Sequence, residues 1–365
     1  MAITLCMIVR NEAARLPQCL ASVGGVVDEA VIVDTGSEDD TVAIARSWGA
    51  RVYEVPWQED FAAARNIALG YVTTEWVLVL DADETLTPAF AALVPEICRQ
   101  PDWLVVTLLR QELGVVPPYT YVSRLFRRHS DLRFERPYHE TIDDSVLALQ
   151  QREPHWQIAQ VNGVAIVHSG YLGTQRQQKL ERAERIMRRH LEQHPEDAYL
   201  WSKLAGVYLA TGDLQQAQQC LEQGLKAKTL PSAIAHELHH QQGNLYAERG
   251  QWQAAITAYE TALKTPLPEV LHLATYLRLA EAQKQLKRWG DALATYERVQ
   301  QVDPHCALAY QNQGALLLRL GQVSAALDKL RQAICLLQEQ NPAEARRLTQ
   351  ELQAMGWLSP SAWVR

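Results

Sequence analysis

Residues 1–178 of this 365-residue chain contain no lysine, since the first one is Lys179. Residues 1–171 carry 23 Asp and Glu against 13 Arg, a net charge of −10, whereas the remainder carries a net charge of +3. Nucleic-acid-binding surfaces need a basic footprint, so the acidic half is a poor candidate for one. Its carboxylates are instead plausible ligands for a divalent cation.

The sequence also lacks patterned cysteines, a signal-peptide pattern and long apolar runs. The six cysteines are scattered and form no CxxC pair, which argues against a zinc site or a disulfide framework and favours a reducing compartment. The N-terminus has no signal-peptide pattern, because its apolar run ITLCMIV continues directly into the polar segment RNE. No apolar run approaches the ~20 residues that a bilayer-spanning helix needs. We therefore expect a soluble, cytoplasmic protein.

Up to about residue 171, short β-forming runs alternate with helical segments. The predicted strands are ITLCMIV, EAVIVD, ARVYEVP and EWVLVLDADE. The predicted helices are EAARLPQCLASV, SEDDTVAIARSWG and DFAAARNIALGYV, the second of which is expected to begin at Ser37 as its cap. This alternation predicts a parallel or mixed sheet of the doubly wound α/β class. Ligands bind beyond the carboxyl ends of such strands, where Asp34, Asp81 and Asp83 fall.

After about residue 174 the strand pattern disappears. The segment TQRQQKLERAERIMRRHLEQHPED predicts a long, basic amphipathic helix that ends near Pro195. Beyond it, four units share a turn in phase: ATGD, ERGQ, KRWGD and RLGQ. The small residue that opens the second helix of each unit recurs at Ala217, Ala255, Ala292 and Ala326, with separations of 38, 37 and 34 residues. The pattern resembles the tetratricopeptide repeat, in which pairs of antiparallel helices stack into an all-α solenoid.

Four ordered motifs in the first half, CMIVRNE, VIVDTGSEDDT, DFAAARN and WVLVLDADE, resemble family 2 glycosyltransferases. The resemblance is to the subgroup with appended tetratricopeptide repeats, and it implies a GT-A fold, a Rossmann-like α/β domain, over about 1–171. A connecting helix at 172–196, about four repeats at 197–342 and a capping helix and tail at 343–365 are expected to follow. The resemblance implies a metal-dependent, inverting glycosyltransferase with a nucleotide-sugar donor, expected to be a UDP-sugar.

The resemblance also assigns a nucleotide-sugar site. The backbone of the first strand and Glu12 would border the nucleotide, and Asp34 would contact the uridine. Arg65 would lie near the diphosphate, because no lysine is available in this half of the chain. The full set of expected binding residues is Val9, Glu12, Asp34, Gly36, Ser37, Arg65 and Asp81. The alternatives are that Asp34 is a cap or turn residue, and that Arg65 is a surface arginine paired with Glu59 or Asp60.

The DADE segment is the candidate metal site. Two carboxylates at positions i and i+2, directly after a buried strand, can direct oxygens toward one cation such as Mn²⁺ or Mg²⁺. By resemblance, Asp83 is the direct ligand and Asp81 lies nearer the ribose or a metal-bound water. His168 resembles a late histidine that completes the metal site through its neutral imidazole, although a structural histidine is an alternative. Glu84 is either an accessory polar group or a solvated carboxylate, and we expect the latter.

The general base is expected in the segment PYHETIDD. An inverting transfer needs a base that deprotonates the acceptor hydroxyl, and Glu140 matches the glutamate of the His-Glu pair found in related enzymes. Asp143 and Asp144 stand behind it as further candidates, because the usual acidic pair of many family 2 members has no clear match here. Arg124, Arg127 and Arg128 either reach a phosphate or an acidic acceptor, or form a solvated basic face.

The repeats suggest a partner. Stacked helix pairs form a groove suited to peptides or helices, so the acceptor is expected to be a protein or peptide, or the enzyme to dock on a scaffold. The array could instead only dimerise or stabilise the enzyme. An alternative function is a non-catalytic nucleotide-binding scaffold, against which the intact pair of Asp81 and Asp83 argues. A nucleotidyltransferase is disfavoured because IVRNEAARLP has no glycine.

Overall fold

The computed structural model describes residues 1–115, 118–170 and 176–357. The chain divides into two compact units, Met1–Pro195 and Glu196–Arg365. The first unit contains a mixed sheet with helices, and the second contains helices only among its described residues. The predicted division into α/β and all-α parts is therefore confirmed.

The first unit is built on an eight-stranded sheet in the order β3-β2-β1-β4-β7-β6-β8-β5. The strands are β1 (Ile3–Val9), β2 (Glu29–Asp34), β3 (Arg51–Glu54), β4 (Trp76–Val79), β5 (Glu84–Leu86), β6 (Trp103–Glu112), β7 (Tyr119–Arg127) and β8 (Gln157–His168). The helices are α1 (Leu16–Val23), α2 (Thr41–Ser47), α3 (Phe61–Gly70), α4 (Pro88–Ile97), α5 (Asp143–Arg152) and α6 (Arg176–Gln193). Strands β3, β2, β1 and β4 run parallel, whereas β7 is antiparallel to both β4 and β6.

Apolar residues cover both faces of the sheet, which explains the continuous hydrophobic runs of its central strands. On one face Leu5 of β1 belongs to a cluster with Leu16 of α1. On the other face Cys6 belongs to a cluster with Ala68 of α3. Because neighbouring strands are parallel and in register, with Val9 opposite Asp34, the loops that follow β1, β2 and β4 emerge at one edge of the sheet.

The start of α2 differs from the prediction. The helix begins at Thr41, and its N-cap position is occupied by Asp40, three residues after the expected cap Ser37. The Ser37 hydroxyl donates to the carboxylate of Asp34 and accepts a hydrogen bond from the backbone N–H of Asn11 at 2.8 Å. A residue that ties two loops together in this way is not available to cap a helix, so the loop after β2 is longer than the pattern indicated.

The predicted long basic helix is α6, and its contacts place it in the first unit. The guanidinium of Arg182 lies 4.7 Å from the ring centroid of Trp57. Arg185 pairs with Glu59 at 2.5 Å. Trp57 and Glu59 belong to the segment that leads into α3. Helix α6 therefore packs against the segment that precedes the helix carrying the predicted diphosphate residue Arg65.

The second unit consists of consecutive helices that pair as neighbours along the chain. They are α7 (Ala198–Thr211), α8 (Leu214–Gly224), α9 (Ser232–Glu248), α10 (Trp252–Ala262), α11 (Leu273–Gln285), α12 (Trp289–Val302), α13 (Ala307–Arg319), α14 (Val323–Gln340) and α15 (Pro342–Ala354). None of the helices in the described residues combines the length and apolarity that crossing a bilayer would require.

Small residues allow the helices of each pair to approach closely. The four alanines that define the repeat in the sequence are fully buried: Ala217, Ala255, Ala292 and Ala326. A Cβ added at Gly243 of α9 would lie 2.3 Å from the ring of Tyr259 in α10. A Cβ added at Gly314 of α13 would lie 2.6 Å from Leu330 in α14. The repeat therefore preserves a backbone-to-side-chain contact that larger residues would push apart.

Candidate functional site

The loops after β1 and β2 are joined by hydrogen bonds at the carboxyl edge of the sheet. The backbone N–H of Glu12 donates to the hydroxyl of Thr41 at 2.8 Å. The side chain of Asn11 accepts from the backbone N–H of Glu38 at 2.7 Å. Asn11 has a φ of 55°, a conformation that asparagine tolerates better than most residues. Sequence reasoning assigned Asn11 no role, although its place in the RNE motif was visible.

Asp34 shapes the loop that follows β2. One of its carboxylate oxygens accepts hydrogen bonds from the backbone N–H groups of Gly36 and Ser37, each at 2.9 Å. Gly36 has a φ of 102°, which a side chain would strain. Asp34 is only 2% exposed. The structure thus gives Asp34 the role of a turn residue, which was the alternative, and a contact with uridine stays a prediction.

Asp81, two residues after the end of β4, lies between two arginines. Its carboxylate accepts from Arg65 at 2.5 Å and from Arg124 at 2.9 Å. Burial works against ionisation, but the charges of Arg124 and Arg65 outweigh it and hold the pKa of the Asp81 carboxyl well below its usual range. The first aspartate of the DxD pair is therefore ionised and fixed before any ligand arrives.

Arg65 connects the DxD segment to the predicted base. It is 3% exposed, and its Nε donates to Glu140 at 2.6 Å while its Nη2 donates to Asp81. The alternative that it is a surface arginine is wrong, because Asp60 caps α3 and Glu59 pairs with α6. The Nη1 atom of Arg65 is buried without a hydrogen-bond partner in the described part of the chain. An unsatisfied buried donor is costly unless a ligand supplies the acceptor.

Asn66 fixes the segment that carries Glu140. Its side chain accepts from the backbone N–H of Phe134 at 2.8 Å and donates to the carbonyl of the same residue at 2.9 Å. The backbone N–H of Phe61 donates to the carbonyl of Pro137 at 3.0 Å. The motif DFAAARN therefore positions the later PYHE segment through its backbone. Sequence reasoning missed Asn66, which lies inside a motif that it had singled out.

The three arginines at and just after the end of β7, Arg124, Arg127 and Arg128, make different contacts. The β6–β7 register shifts at Arg124, since Val106 pairs with Leu125 and Thr107 pairs with Ser123. Such a bulge re-aims a side chain, and Arg124 reaches Asp81. By contrast, Arg127 is a buried structural residue, because it donates to the carbonyl of Trp103 and covers the ring of Trp76.

The Nε atom of Arg127 lies 2.9 Å from the carbonyl oxygen of Trp103, and its guanidinium lies 4.6 Å from the ring centroid of Trp76. Arg128, just beyond the end of β7, donates to the backbone carbonyl of Thr74 at 3.2 Å. Only Arg124 of the three therefore contacts the DxD segment.

The expectation that Glu84 is solvated is wrong. Glu84 is fully buried. One of its oxygens accepts from Arg110 at 2.8 Å and the other from the backbone N–H of Asp81 at 2.9 Å. A carboxylate can be buried at this cost only when it is paired, and the pattern DADE gave no sign of Arg110, which comes from β6.

Asp83 and His168 are brought together from sequence positions 85 residues apart. The Nε2 atom of His168 lies 3.4 Å from Oδ2 of Asp83, and both side chains are mostly buried. The Nδ1 atom of His168 is hydrogen-bonded to Glu112. Burial by itself lowers the pKa of His168, but its hydrogen bonds to Asp83 and Glu112 outweigh burial and raise that pKa to about 9.

Gly170 lies against this pair. A Cβ at Gly170 would be 2.3 Å from Oδ2 of Asp83 and 2.5 Å from Nε2 of His168. The backbone thus approaches the two atoms that the sequence predicts as metal ligands, and a side chain at this position would displace one of them. The glycine of VHSGYLG was not recognised as a site residue in the sequence.

The other predicted residues lie at varying distances from this pair. Glu12 is close enough for the charge of Asp83 to contribute to its pKa, which burial, the larger cause, raises above its usual range. Asp143, at the start of α5, accepts from the hydroxyl of Ser123 at 2.5 Å. Among the described residues, no hydrogen bond joins Asp143 to Asp81, Asp83 or Arg65, so the structure brings Glu140 to the centre but not Asp143.

The side-chain donor atoms of Asp83 and His168 fit part of the coordination shell of a divalent cation. Within the residues that the structure describes, no group of three or more His, Cys, Asp or Glu side chains could hold a metal ion. Asp83 and His168 offer one oxygen and one nitrogen 3.4 Å apart, near the ~3.0 Å between adjacent ligands of an octahedral ion with bonds of about 2.1 Å. Two protein donors would leave the remaining coordination positions of such an ion open.

The comparisons with known proteins agree with the two-part fold. The Glycosyl transferase family 2 model matches residues 4–159, and Tetratricopeptide repeat models match 175–239, 238–270 and 277–360. A TPR repeat-containing protein of Synechococcus elongatus is 42% identical over 395 residues, which covers 97% of each chain. The SPbeta prophage-derived glycosyltransferase SunS of Bacillus subtilis is 32% identical over 146 residues, covering 38% of this chain and 34% of SunS.

A solved structure of glucosyl-3-phosphoglycerate synthase from Mycobacterium tuberculosis, in complex with Mn²⁺, UDP and glucosyl-3-phosphoglycerate, is also similar. It shares 20% identity and a TM-score of 0.40, covering 51% of this chain and 77% of that one.

Proposed function

The chain belongs to the family 2 glycosyltransferases that carry C-terminal tetratricopeptide repeats, and from this premise we propose that it uses a nucleotide-sugar donor and a divalent cation. The observation that carries the proposal is the pair of donor atoms on Asp83 and His168. They lie 3.4 Å apart, they come from different strands' ends, and a glycine faces them where any side chain would intrude.

Asp83 and His168 would hold Mn²⁺ or Mg²⁺. When bound there, such a cation supplies Lewis-acid stabilisation of the leaving nucleoside diphosphate. Hard cations favour oxygen ligands, which agrees with a carboxylate and phosphate oxygens, and a neutral imidazole accommodates Mn²⁺ more readily than Mg²⁺. We therefore expect Mn²⁺ to support more activity than Mg²⁺.

The loops at the carboxyl edge of the sheet would bind the nucleotide. The end of β1 at Val9, the side chain of Glu12 and the turn formed by Asp34, Gly36 and Ser37 line this edge. We propose UDP as the nucleotide.

Arg65 would take a diphosphate oxygen through its unsatisfied Nη1 atom, since guanidinium groups bind phosphate through several N–H donors. Asp81 is held rigidly between Arg65 and Arg124 and would face the ribose.

Glu140 is the proposed base. Its Oε1 accepts from Arg65, and its Oε2 makes no hydrogen bond to any described residue, so Oε2 can receive the proton of the acceptor hydroxyl. The freed oxygen of the acceptor would attack the anomeric carbon from the side opposite the departing diphosphate, which inverts that carbon. Asp143 is the second candidate, and its hydroxyl partner Ser123 holds it at the start of α5.

The repeats would bind the acceptor or a scaffold. Repeats of this class present an extended groove, and we propose that a protein or peptide acceptor docks there.

The test begins with a screen of nucleotide-sugars for thermal stabilisation of the full chain, with and without Mn²⁺, because a site ligand raises apparent stability by mass action. Donor hydrolysis and transfer are then measured for the wild type, for Asp83→Asn and for the control Asp131→Asn, which alters an exposed aspartate paired with Arg152. The proposal expects activity to depend on Mn²⁺ and to collapse in Asp83→Asn alone.

Full metal-dependent turnover in Asp83→Asn would overturn the metal assignment. Nucleotide binding without hydrolysis or transfer over a broad set of acceptors would favour the scaffold alternative.

A further inference from the structure

A buried row of charged side chains leads away from His168. Glu112 is hydrogen-bonded to Nδ1 of His168 and accepts from Nε of Arg110 at 2.7 Å through its other oxygen. Arg110 also donates to Glu84 at 2.8 Å. Glu84 in turn accepts from the backbone N–H of Asp81 at 2.9 Å. We call Glu84, Arg110 and Glu112 the buried relay.

The sheet explains why these residues converge. His168 is the last residue of β8, and the strands on both sides place a glutamate directly opposite it. Glu84 is its partner in β5 and Glu112 is its partner in β6. Cross-strand partners lie within direct reach of one another, so the β8 terminus is enclosed by two carboxylates with Arg110 between them.

Stabilisation of the fold does not by itself explain why the charges of the buried relay are buried. Glu84 is fully buried and Glu112 is 7% exposed. Buried ion pairs are often no more stabilising than apolar residues of similar volume. Their two ends, however, contact the backbone of Asp81 and the ring of His168, which are both at the proposed cation site. Positioning of the residues at this site therefore explains the burial of these charges better than stabilisation of the fold does.

We propose that Glu112 is a positioning residue that sets the tautomer and ring orientation of His168 for the cation. With the cation bound, the Nδ1–H of His168 donates to Glu112, so the lone pair of Nε2 stays directed to the side of Asp83. Arg110 binds one oxygen of Glu112 and so fixes which oxygen faces the ring. Histidine ligands of metals are commonly held in this way by an outer carboxylate. The inference rests on the proposed function, because it requires a cation at Asp83 and His168.

The substitution Glu112→Gln separates this role from simple packing. Arg110 can only donate, so it selects the carbonyl oxygen of the new amide and turns the NH₂ group toward His168. An amide donor at Nδ1 requires the proton of the neutral ring to sit on Nε2. That tautomer has no lone pair for a cation, although the side chain has kept its size.

The experiment measures Mn²⁺ affinity by electron paramagnetic resonance with the full chain and saturating UDP, so its readout is binding and not turnover. Wild type, Glu112→Gln, Glu112→Asp and the control Glu29→Gln are compared. Glu29 pairs with Arg51 at 3.0 Å in the same unit but at the opposite end of β2 from Asp34. We expect Glu112→Gln to weaken Mn²⁺ binding at least ~10-fold, and Glu29→Gln to leave it unchanged.

The order of the two Glu112 variants distinguishes positioning from packing. Glu112→Asp keeps the carboxylate and hence the tautomer, so it should lose less Mn²⁺ affinity than the isosteric Glu112→Gln. A purely structural role predicts the reverse order, because Asp leaves a gap and Gln does not. If Glu112→Gln fails to fold by circular dichroism, Arg110→Lys replaces it, since a single ammonium holds both carboxylates poorly, and weaker Mn²⁺ binding is again expected.

Wild-type Mn²⁺ affinity in folded Glu112→Gln, or in its substitute Arg110→Lys, overturns the inference and leaves the proposed function standing. Absence of Mn²⁺ binding by the wild type with UDP overturns the proposed metal dependence and the inference with it. The two failures are therefore distinguishable.

Discussion

Arg65 donates a hydrogen bond from Nε to Glu140 at 2.6 Å, although the two residues are 75 positions apart in the chain. The same guanidinium binds Asp81 at 2.5 Å. One buried cation therefore sets the position of both the first DxD aspartate and the proposed base. Any change in the shape of the Arg65 side chain should therefore displace both carboxylates.

The substitution Arg65→Lys tests this relationship. Lysine keeps the charge but cannot direct separate planar N–H groups at Asp81 and Glu140. We expect transfer activity to fall by roughly 10- to 100-fold, because small displacements of reacting groups are costly. We also expect the free energy of unfolding in urea to fall by about 1–3 kcal/mol.

The control is Arg46→Lys, which alters an exposed pair with Glu54 at 2.8 Å. It should change the free energy of unfolding by less than ~1 kcal/mol and leave activity intact. Equal activity in Arg65→Lys and Arg46→Lys would show that the buried fork has no role at the site.

Gly170→Ala should block the site while the fold survives. Its Cβ would lie 2.3 Å from Oδ2 of Asp83 and 2.5 Å from Nε2 of His168, so one of these atoms must move from its partner. We expect loss of Mn²⁺ binding by calorimetry with little change in circular dichroism. Gly25→Ala is the matched control, since nothing lies within 4 Å of its added Cβ. Normal Mn²⁺ binding by Gly170→Ala would argue against a cation at this pair.

Two glycines of the repeat unit should respond to alanine with opposite signs. At Gly243 the new Cβ would lie 2.3 Å from the ring of the fully buried Tyr259, and such overpacking costs about 1–3 kcal/mol. At Gly290, in the first turn of α12, nothing lies within 4 Å, so alanine should gain up to ~1 kcal/mol from helix propensity. Chemical denaturation of both variants measures this, and a destabilised Gly290→Ala would contradict it.

A histidine cluster in the repeat unit should make stability depend on pH. His236 and His240 share the hydroxyl of Thr275, at 3.0 and 2.9 Å. Burial is the main cause that lowers the pKa of each to about 4. For His236 the nearby histidines lower it further, whereas for His240 Glu237 partly opposes the shift. The ring of His272 lies 4.9 Å from that of His236.

The direction in which stability changes with pH follows from where the protons bind. The unfolded chain takes up these protons near pH 6.5 and the folded chain only near pH 4, so stability falls as pH drops through this window and levels off below it. Each unit of pKa difference corresponds to about 1.4 kcal/mol. Urea denaturation between pH 7 and pH 4 should show the fall, and the double variant His236→Gln, His240→Gln should flatten it.

His305→Gln serves as the control for the pH series, because His305 is exposed and lies outside the cluster. It should leave the slope unchanged. A wild-type stability that is flat between pH 6.5 and pH 4 would contradict the buried, neutral state of the two imidazoles.

The sequence by itself determined the architecture. Continuous apolar runs predicted strands β1 and β2 with their observed bounds, since only a strand covered on both faces keeps such a run. Repeat spacing located the buried alanines of the second unit, because small residues recur wherever paired helices touch. The DxD pair, His168 and Glu140 could also be singled out in the sequence, as each lies in a motif with local character, and their roles stay predictions.

Only the tertiary structure decided which charged groups meet. Arg110, Glu112 and Gly170 show no local pattern, and Glu84 looked solvated although it is fully buried. Their roles arise from the pairing of β5 and β6 with β8, which places residues distant in sequence opposite His168. Periodicity reports whether a residue faces the core. It does not report which oppositely charged side chain a buried residue will contact, because an ion pair depends on distances between atoms that only the folded sheet sets.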